Sequence, residues 1–422
     1  MSGKLLALAW MMPPLVFPRS LQVSRLLRAL HRRDWRSRVV TVVPAAEPYA
    51  AQDARLAEIY RDSYDLEHVE PREEVEPSEL WRRACWRYWP PQEPVTPDNW
   101  VRRSLAVLRR DVRALRPDVF VSFAQPWIDH VVGLQLKRKF PRLPWVAHFS
   151  DPWVDSPYFD VPDPVKRQQA IERERAIIEA ADAVIFTTTE TADLVMAKYP
   201  AAWRDKVHVV GHGFDAELLS AVAPPPCSDK FRISHTGNIY GHREPIALLR
   251  ALATLATDGD IRRHLAVEFV GHATPGMREA VEQLGIGDFV SLAPNVPYLE
   301  SLALGQASDL LLVVDAPAER SVFFPSKIVD YLMLRRPILA VTPTVGVTAT
   351  VLGDLGFPTV DPADEVGLAL AVRGAFERWR SGQAAAPLPS DQAIRRFDIG
   401  EVAAQFEAVL EFAKSIAAGR RR

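Results

Sequence analysis

The chain has 422 residues, too many for one hydrophobic core, so two domains of about 200 residues each are expected. It is 48% hydrophobic and 25% charged with a net charge of −2, a balance that argues against nucleic acid as a partner. Its two cysteines, Cys85 and Cys227, lie far apart without a CxxC spacing, which leaves neither a zinc site nor a disulfide framework and fits a reducing cytoplasm.

The opening apolar run is read as a buried strand over 5–10. It is short for a signal peptide, lacks a small-residue cleavage site, and is followed by Pro13-Pro14 and a basic helix. That helix, 21–33, sets Val23, Leu26, Leu27 and Leu30 on one face and Arg25, Arg28 and Arg32 on another. A second strand follows at 39–43. The segment 45–99 breaks the rhythm as a charged, Pro-rich insert with Trp81, Trp86, Tyr88, Trp89 and Trp100 clustered in or beside it. Two readings stay open for it: a cap that finishes the first core, or a surface for acceptors and membrane headgroups. Thr96 and Pro97 open a helix that runs to Leu115, with Val101, Leu105, Leu108, Val112 and Leu115 as its buried stripe and arginines, including Arg102, Arg109 and Arg113, on the rest.

Strands are expected next at 119–123, 145–149, 184–186 and 207–210, and 223–227 reads as a rigid Pro-rich linker. A second strand and helix series has strands at 231–235, 266–270, 289–292, 310–314 and 338–341, a helix at 365–380 and a last helix at 397–418. This alternation is that of α/β domains with doubly wound parallel sheets. The expected division is 1–222 (with 45–99 as an insert), a linker at 223–230, a second domain over 231–396, and a terminal helix 397–422 returning to the first. No stretch reaches the length of a membrane span.

Chemistry is expected where strands end. Pro325 and Ser326 announce a helix with Ile328, Tyr331, Leu332 and Leu334 at helical spacing. Arg335-Arg336 sit in its last turn and Pro337 stops it. A helix N-terminus at the carboxyl end of a parallel strand is an anion site, and there Lys327 suits a phosphate and Asp330 a hydroxyl-bearing ligand. After strand 231–235, Gly237, Asn238 and Gly241 form a loop with Arg243 at the mouth of the next helix, though neither a P-loop nor a GxGxxG fingerprint is present. His148 and Asp151 lie just past strand 145–149. They face a cleft as catalytic groups, or else His148 is a satisfied core histidine and Asp151 caps a turn before Pro152. Gly211 and Gly213 form a turn, with His212 a hinge-loop residue.

HTGNIYGHREPIALLRAL, FVGH and FPSKIVDYLMLRRPILA, in that order and spacing, resemble the donor-binding domain of family 4 glycosyltransferases of GT-B architecture. The opening strand with MMPP, AHFSDPW (147–153) and VVGHGFD (209–215) are similar to that family's acceptor domain. The resemblance covers most of the chain, with 45–99 outside it. It implies two Rossmann-like doubly wound domains facing across a cleft, and metal-independent transfer, with retention, of a sugar from a nucleotide diphosphate sugar. That donor is a co-substrate; no cofactor or metal is implied. The arginine faces of helices 21–33 and 97–115 and the neighbouring Trp cluster, in a chain with no span, point to a lipid-linked or surface-polysaccharide intermediate as the acceptor.

Matched position by position, Arg243 stands for the family's diphosphate-binding Lys, and Asn238 replaces its partner Arg. Asp330 stands for the second Glu of an E-x7-E motif whose first Glu falls at Val322. Glu319 or the backbone N–H groups around Phe323 and Phe324 are the substitutes available. Lys327 matches a basic residue of a PxK loop, and His148 a histidine that contacts donor sugar or leaving group. Catalysis is thus expected at His148, Asp151, Arg243 and Lys327, and donor binding at Gly237, Asn238, Arg243, Phe324, Ser326, Lys327 and Asp330. Two alternatives share the fold: a sugar-nucleotide epimerase and a non-catalytic nucleotide-sugar binder. The expected location is the cytoplasm, with peripheral contact at the inner membrane face.

Overall fold

The computed structural model describes residues 3–47, 50–71, 98–156, 163–222, 228–241 and 243–419. Trp81, Trp86, Tyr88, Trp89, the Thr96-Pro97 helix start and the 223–227 stretch lie outside the described residues. The chain divides into one unit of Met1–Gly213 with Ile399–Arg422, and a second of Phe214–Asp398. The first unit thus ends nine residues ahead of the expected boundary at 222. Phe214 donates its N–H to the Phe397 carbonyl at 2.8 Å and bridges to Asp398, which ties it to the second unit.

The first unit is built on seven strands: β1 Gly3–Ala9, β2 Trp35–Val42, β3 Asp65–Val69, β4 Val119–Phe123, β5 Trp145–His148, β6 Ala183–Phe186 and β7 Val207–Val209. Their order is β3-β2-β1-β4-β5-β6-β7, and every pairing is parallel. β4 and β5 are buried at every position, as strands covered by helices on both faces must be. Within the 45–99 insert, β3 adds a strand that the sequence reading does not expect, paired to β2. Its sequence, DLEHV, places charge on an edge strand, so the apolar run that reveals inner strands is missing. Trp100 is fully buried and meets Trp10 edge to face at 4.6 Å, so it finishes the core.

The terminal helix Ile399–Gly419 completes this unit. Phe406 is fully buried and stacks on Phe123 at 6.1 Å. Glu407 accepts from Arg33 Nε at 2.7 Å and from Trp35 Nε1 at 2.9 Å, pinning the helix to the start of β2.

The second unit has six strands: β8 Phe231–Thr236, β9 Leu265–Val270, β10 Val290–Ala293, β11 Leu310–Val314, β12 Ile338–Val341 and β13 Thr359–Val360. The order is β10-β9-β8-β11-β12-β13, again all parallel. In each sheet the winding reverses once, between β1 and β4 and between β8 and β11. Ligands of open parallel sheets bind beyond the strand carboxyl ends at such a reversal.

Candidate functional site

In the second unit, the turn after β8 is built on glycine. Gly237 has φ +128° and donates its N–H to the Val270 carbonyl at 2.7 Å. Gly271, with φ +142°, brings the turn after β9 into backbone contact with it: a Cβ there would lie 2.4 Å from the Gly237 carbonyl oxygen. Asn238 braces this contact by accepting the His272 N–H through Oδ1 at 2.9 Å. Through Oδ1 it serves the turn, while its side-chain amide nitrogen is not part of that bond.

The helix Lys327–Leu334 follows β11. Its first side chain, Lys327, reaches back to the glycine turn, where its ammonium would stand 3.0 Å from a Cβ on Gly237. The ammonium lies 2.8 Å from Nε2 of buried His235. His235 Nδ1 lies 3.0 Å from the Leu312 carbonyl, which can only accept. The ring proton is therefore on Nδ1, and Nε2 accepts from Lys327. Burial, then the nearby Arg243 guanidinium, push Lys327 down to about 7, against the attraction of Asp315 and Asp330. Burial and the Lys327 charge hold His235 far below the usual imidazole range.

Arg243 lies over the Tyr240 ring at 4.9 Å, and its Nη2 stands 4.0 Å from Oδ1 of Asp315. Asp315 directly follows β11 and is buried. Its Oδ2 accepts from Ser321 Oγ at 3.1 Å, Thr342 Oγ1 at 3.1 Å and Thr348 Oγ1 at 2.9 Å. Neither His235 nor Asp315 is singled out from sequence as a site residue; Asp315 ends the buried apolar run LLLVV, a readable signal, whereas His235 sits in the mixed strand FRISHT, which gives none.

Asp330 is half-buried and its Oδ1 accepts the Tyr298 hydroxyl at 3.1 Å. Tyr331, on the same helix, accepts the Thr236 N–H at 3.1 Å and so ties the helix to the end of β8. Ser326 precedes the helix without a side-chain cap bond. Val322, Phe323 and Phe324 are buried, and Phe324 stacks on Phe397 at 5.9 Å. Glu319 is exposed in the same loop. Arg335, expected in the helix's last turn, is its C-cap at φ +54° and donates to the Pro389 carbonyl at 3.1 Å.

The first unit gathers a second polar cluster. Arg19, buried, donates from Nη2 to His148 Nδ1 at 2.7 Å and to the His148 carbonyl at 3.1 Å, and lies over the Phe123 ring at 5.3 Å. A guanidinium cannot accept, so His148 carries its proton on Nε2. Burial, then the Arg19 charge, keep His148 neutral, and burial brings Arg19 itself down to about 9. Arg19, Phe123, His148 and His212 border a cavity of about 20 Å³ that Ile399 and Val402 of the terminal helix also line. Asp151 is half-buried and accepts from Ser150 Oγ at 2.9 Å and Gln125 Nε2 at 3.3 Å. Arg19, one arginine among many, gave no sequence signal. Arg25, expected on an exposed basic face, is buried and reaches the Gly213 carbonyl at 3.4 Å.

Among the described residues, no group of three His, Cys, Asp or Glu side chains could hold a metal ion, and no helix is long and apolar enough to cross a membrane.

The family model for the glycosyl transferase 4-like domain matches residues 20–213. A D-inositol 3-phosphate glycosyltransferase of Catenulispora acidiphila is 32% identical over 166 residues, which is 35% of this chain and 39% of that relative's length. The match thus spans well under half of that relative. Sucrose-phosphate synthase from Thermosynechococcus elongatus superposes with a TM-score of 0.68 at 15% identity, over 97% of this chain and 98% of its own. UDP-GlcNAc 2-epimerase from Neisseria meningitidis superposes at 0.57 with 12% identity, over 97% of this chain and 99% of its own. These likenesses establish the fold across the whole chain. Residues 20–213 thus match the glycosyl transferase 4-like domain, within a chain whose two parallel-sheet units have the GT-B fold.

Proposed function

We propose that the chain moves a sugar from a nucleotide diphosphate sugar to an acceptor hydroxyl, with retention at the anomeric carbon. Lys327, Arg243 and the helix N-terminus hold the diphosphate, and Asp330 accepts the ribose hydroxyls. The observation that carries this reading is the ammonium of Lys327 at the glycine turn of the β8/β11 reversal, bonded to a neutral imidazole and so still charged toward a ligand. The bond from the anomeric carbon to the diphosphate breaks as the acceptor oxygen bonds to that carbon on the same face. The acceptor's proton passes to the departing diphosphate oxygen. Protein cations and N–H groups stabilise the developing charge there, so the reading assigns no metal and no cofactor to the step. His148, protonated on Nε2, can donate to a sugar hydroxyl.

Donor turnover in the presence of an acceptor extract tests this reading. Epimerised donor without acceptor would identify an epimerase, an activity housed in the same fold in UDP-GlcNAc 2-epimerase. Binding without turnover would identify a nucleotide-sugar binder.

The acceptor we propose is lipid-linked, met at the inner membrane face. Its support is the helix Asp98–Leu115, along which Arg102, Arg109 and Arg113 line adjoining cavities of about 500 and 490 Å³. Each such arginine contributes about 1 kcal/mol near an anionic surface. Co-sedimentation with anionic liposomes at low salt is expected, and a protein that stays in the supernatant would turn the proposal toward a soluble acceptor.

A further inference from the structure

The cation at the glycine turn has an unusual anchor. A lysine half-buried in a folded domain is commonly paired with a carboxylate, which cancels its charge. Lys327 instead bonds an imidazole 2.8 Å away, and that imidazole is fixed from its other side by the Leu312 carbonyl at 3.0 Å. His235 is 1% exposed and is the penultimate residue of β8, at its carboxyl end. It cannot rotate to exchange its nitrogens without losing both bonds. It also cannot take a second proton, because Nε2 faces an ammonium and the ring is buried. The charged groups around Lys327 are Arg243, Asp315 and Asp330. Asp315 is engaged by three hydroxyls, and Asp330 by the Tyr298 hydroxyl.

We infer that His235 is a positioning residue for Lys327, a permanently neutral acceptor that holds the ammonium beside Gly237 without cancelling its charge. The inference rests on the proposed diphosphate reading of this site. Its logic is one of charge at constant shape. An acceptor of any kind would locate the ammonium, but only a neutral one leaves the charge for an anionic ligand. The lowered Lys327 value fits this arrangement: burial and Arg243 outweigh the attraction of Asp315 and Asp330, and the bond the ammonium makes is to the imidazole.

The test uses the full chain and inorganic pyrophosphate, a probe that carries the diphosphate without a base or sugar. Three His235 variants and Lys327→Met are titrated calorimetrically at pH 6.5. His235→Gln keeps a neutral acceptor and should bind within about threefold of the parent chain. His235→Glu, of the same size but charged, should weaken binding by about a hundredfold or more, while His235→Leu, which frees the ammonium, should lose about tenfold, the equivalent of one hydrogen bond. Circular dichroism and reversible unfolding establish that each variant folds; if the Leu variant does not, the Gln and Glu pair decides. Should Gln and Glu bind alike while Lys327→Met abolishes binding, the role of His235 is overturned and the diphosphate site stands. Should pyrophosphate binding be absent, or indifferent to Lys327→Met, the reading of the site falls with it.

Discussion

Asp330 stands one turn inside the helix that begins at Lys327, with one carboxylate oxygen on the Tyr298 hydroxyl. Tyr298 orients that carboxylate while leaving it acceptor capacity. Bonds from ribose hydroxyls to a carboxylate contribute about 1.5–3 kcal/mol each, so Asp330→Ala should weaken nucleotide binding by tenfold or more. Asp330→Glu should be tolerated or bind better, because the extra methylene restores the reach of the family's Glu. Tyr298→Phe, which loosens the carboxylate without removing it, should cost less than Asp330→Ala. Calorimetry of the three variants checks this order; unchanged affinity in Asp330→Ala would end the ribose assignment.

At the scale of elements, the terminal helix carries part of the first unit's core. Phe406 fills the space between Phe123 and His148, with ring separations of 6.1 and 5.9 Å. Removing a buried Phe side chain costs about 3–5 kcal/mol, so Phe406→Ala should lower the denaturant midpoint of the transition that reports on the first unit. A midpoint equal to the parent's would show that the helix is only loosely attached. Elements whose burial is uniform were legible in sequence: β11 is an unbroken LLLVV, and β4 and β5 read the same way. β3 and β13 were not, because β3 spaces its apolar residues between charges and β13 is only two residues long. The proposed site draws on residue types that announce their chemistry in sequence, as with Lys327, Arg243 and Asp330. It was illegible where the role depends on a distant partner. His235 acts on a side chain 92 positions away and Arg19 on one 129 away, and neither spacing leaves a local pattern. Asn238 likewise has a structural partner that spacing does not reveal, the His272 N–H in the turn of Gly271.

Across the whole molecule, buried histidines set the response to acid. His130, His148, His212 and His235 are all held below the usual imidazole value by burial, with His212 at about 3. Each is neutral when folded and takes a proton on unfolding below pH 6.5, so the stability from each is present above that pH and is lost as pH falls. Asp129 opposes them. Burial pushes it up to about 8 despite bonds from the Trp10 N–H and Trp100 Nε1. It is protonated when folded but ionised when unfolded between pH 4 and 8, so it contributes stability as pH falls through that range. Burial lowers His68 and His208 as well, and raises Glu174 and Asp309 as it does Asp129. The histidines outnumber the carboxyls, and the melting temperature should drop between pH 7 and pH 5. Asp129→Asn, which removes one opposing group, should steepen the drop. A flat or rising profile would contradict the neutral burial of these rings.

The central claim is that the turn after β8 and the helix after β11 hold a diphosphate through Lys327 and Arg243, and calorimetric titration with a panel of nucleoside diphosphates tests it most directly. For the tightest-binding base, Lys327→Met and Arg243→Met should each weaken binding by about tenfold or more, and the double variant by less than the product, because the two cations share one ligand. Binding to the parent chain should also weaken as pH rises above about 7, since empty-site Lys327 loses its proton there and the anion must restore it. The account is contradicted if no nucleoside diphosphate binds, or if affinity is indifferent to both substitutions and flat from pH 6 to pH 9.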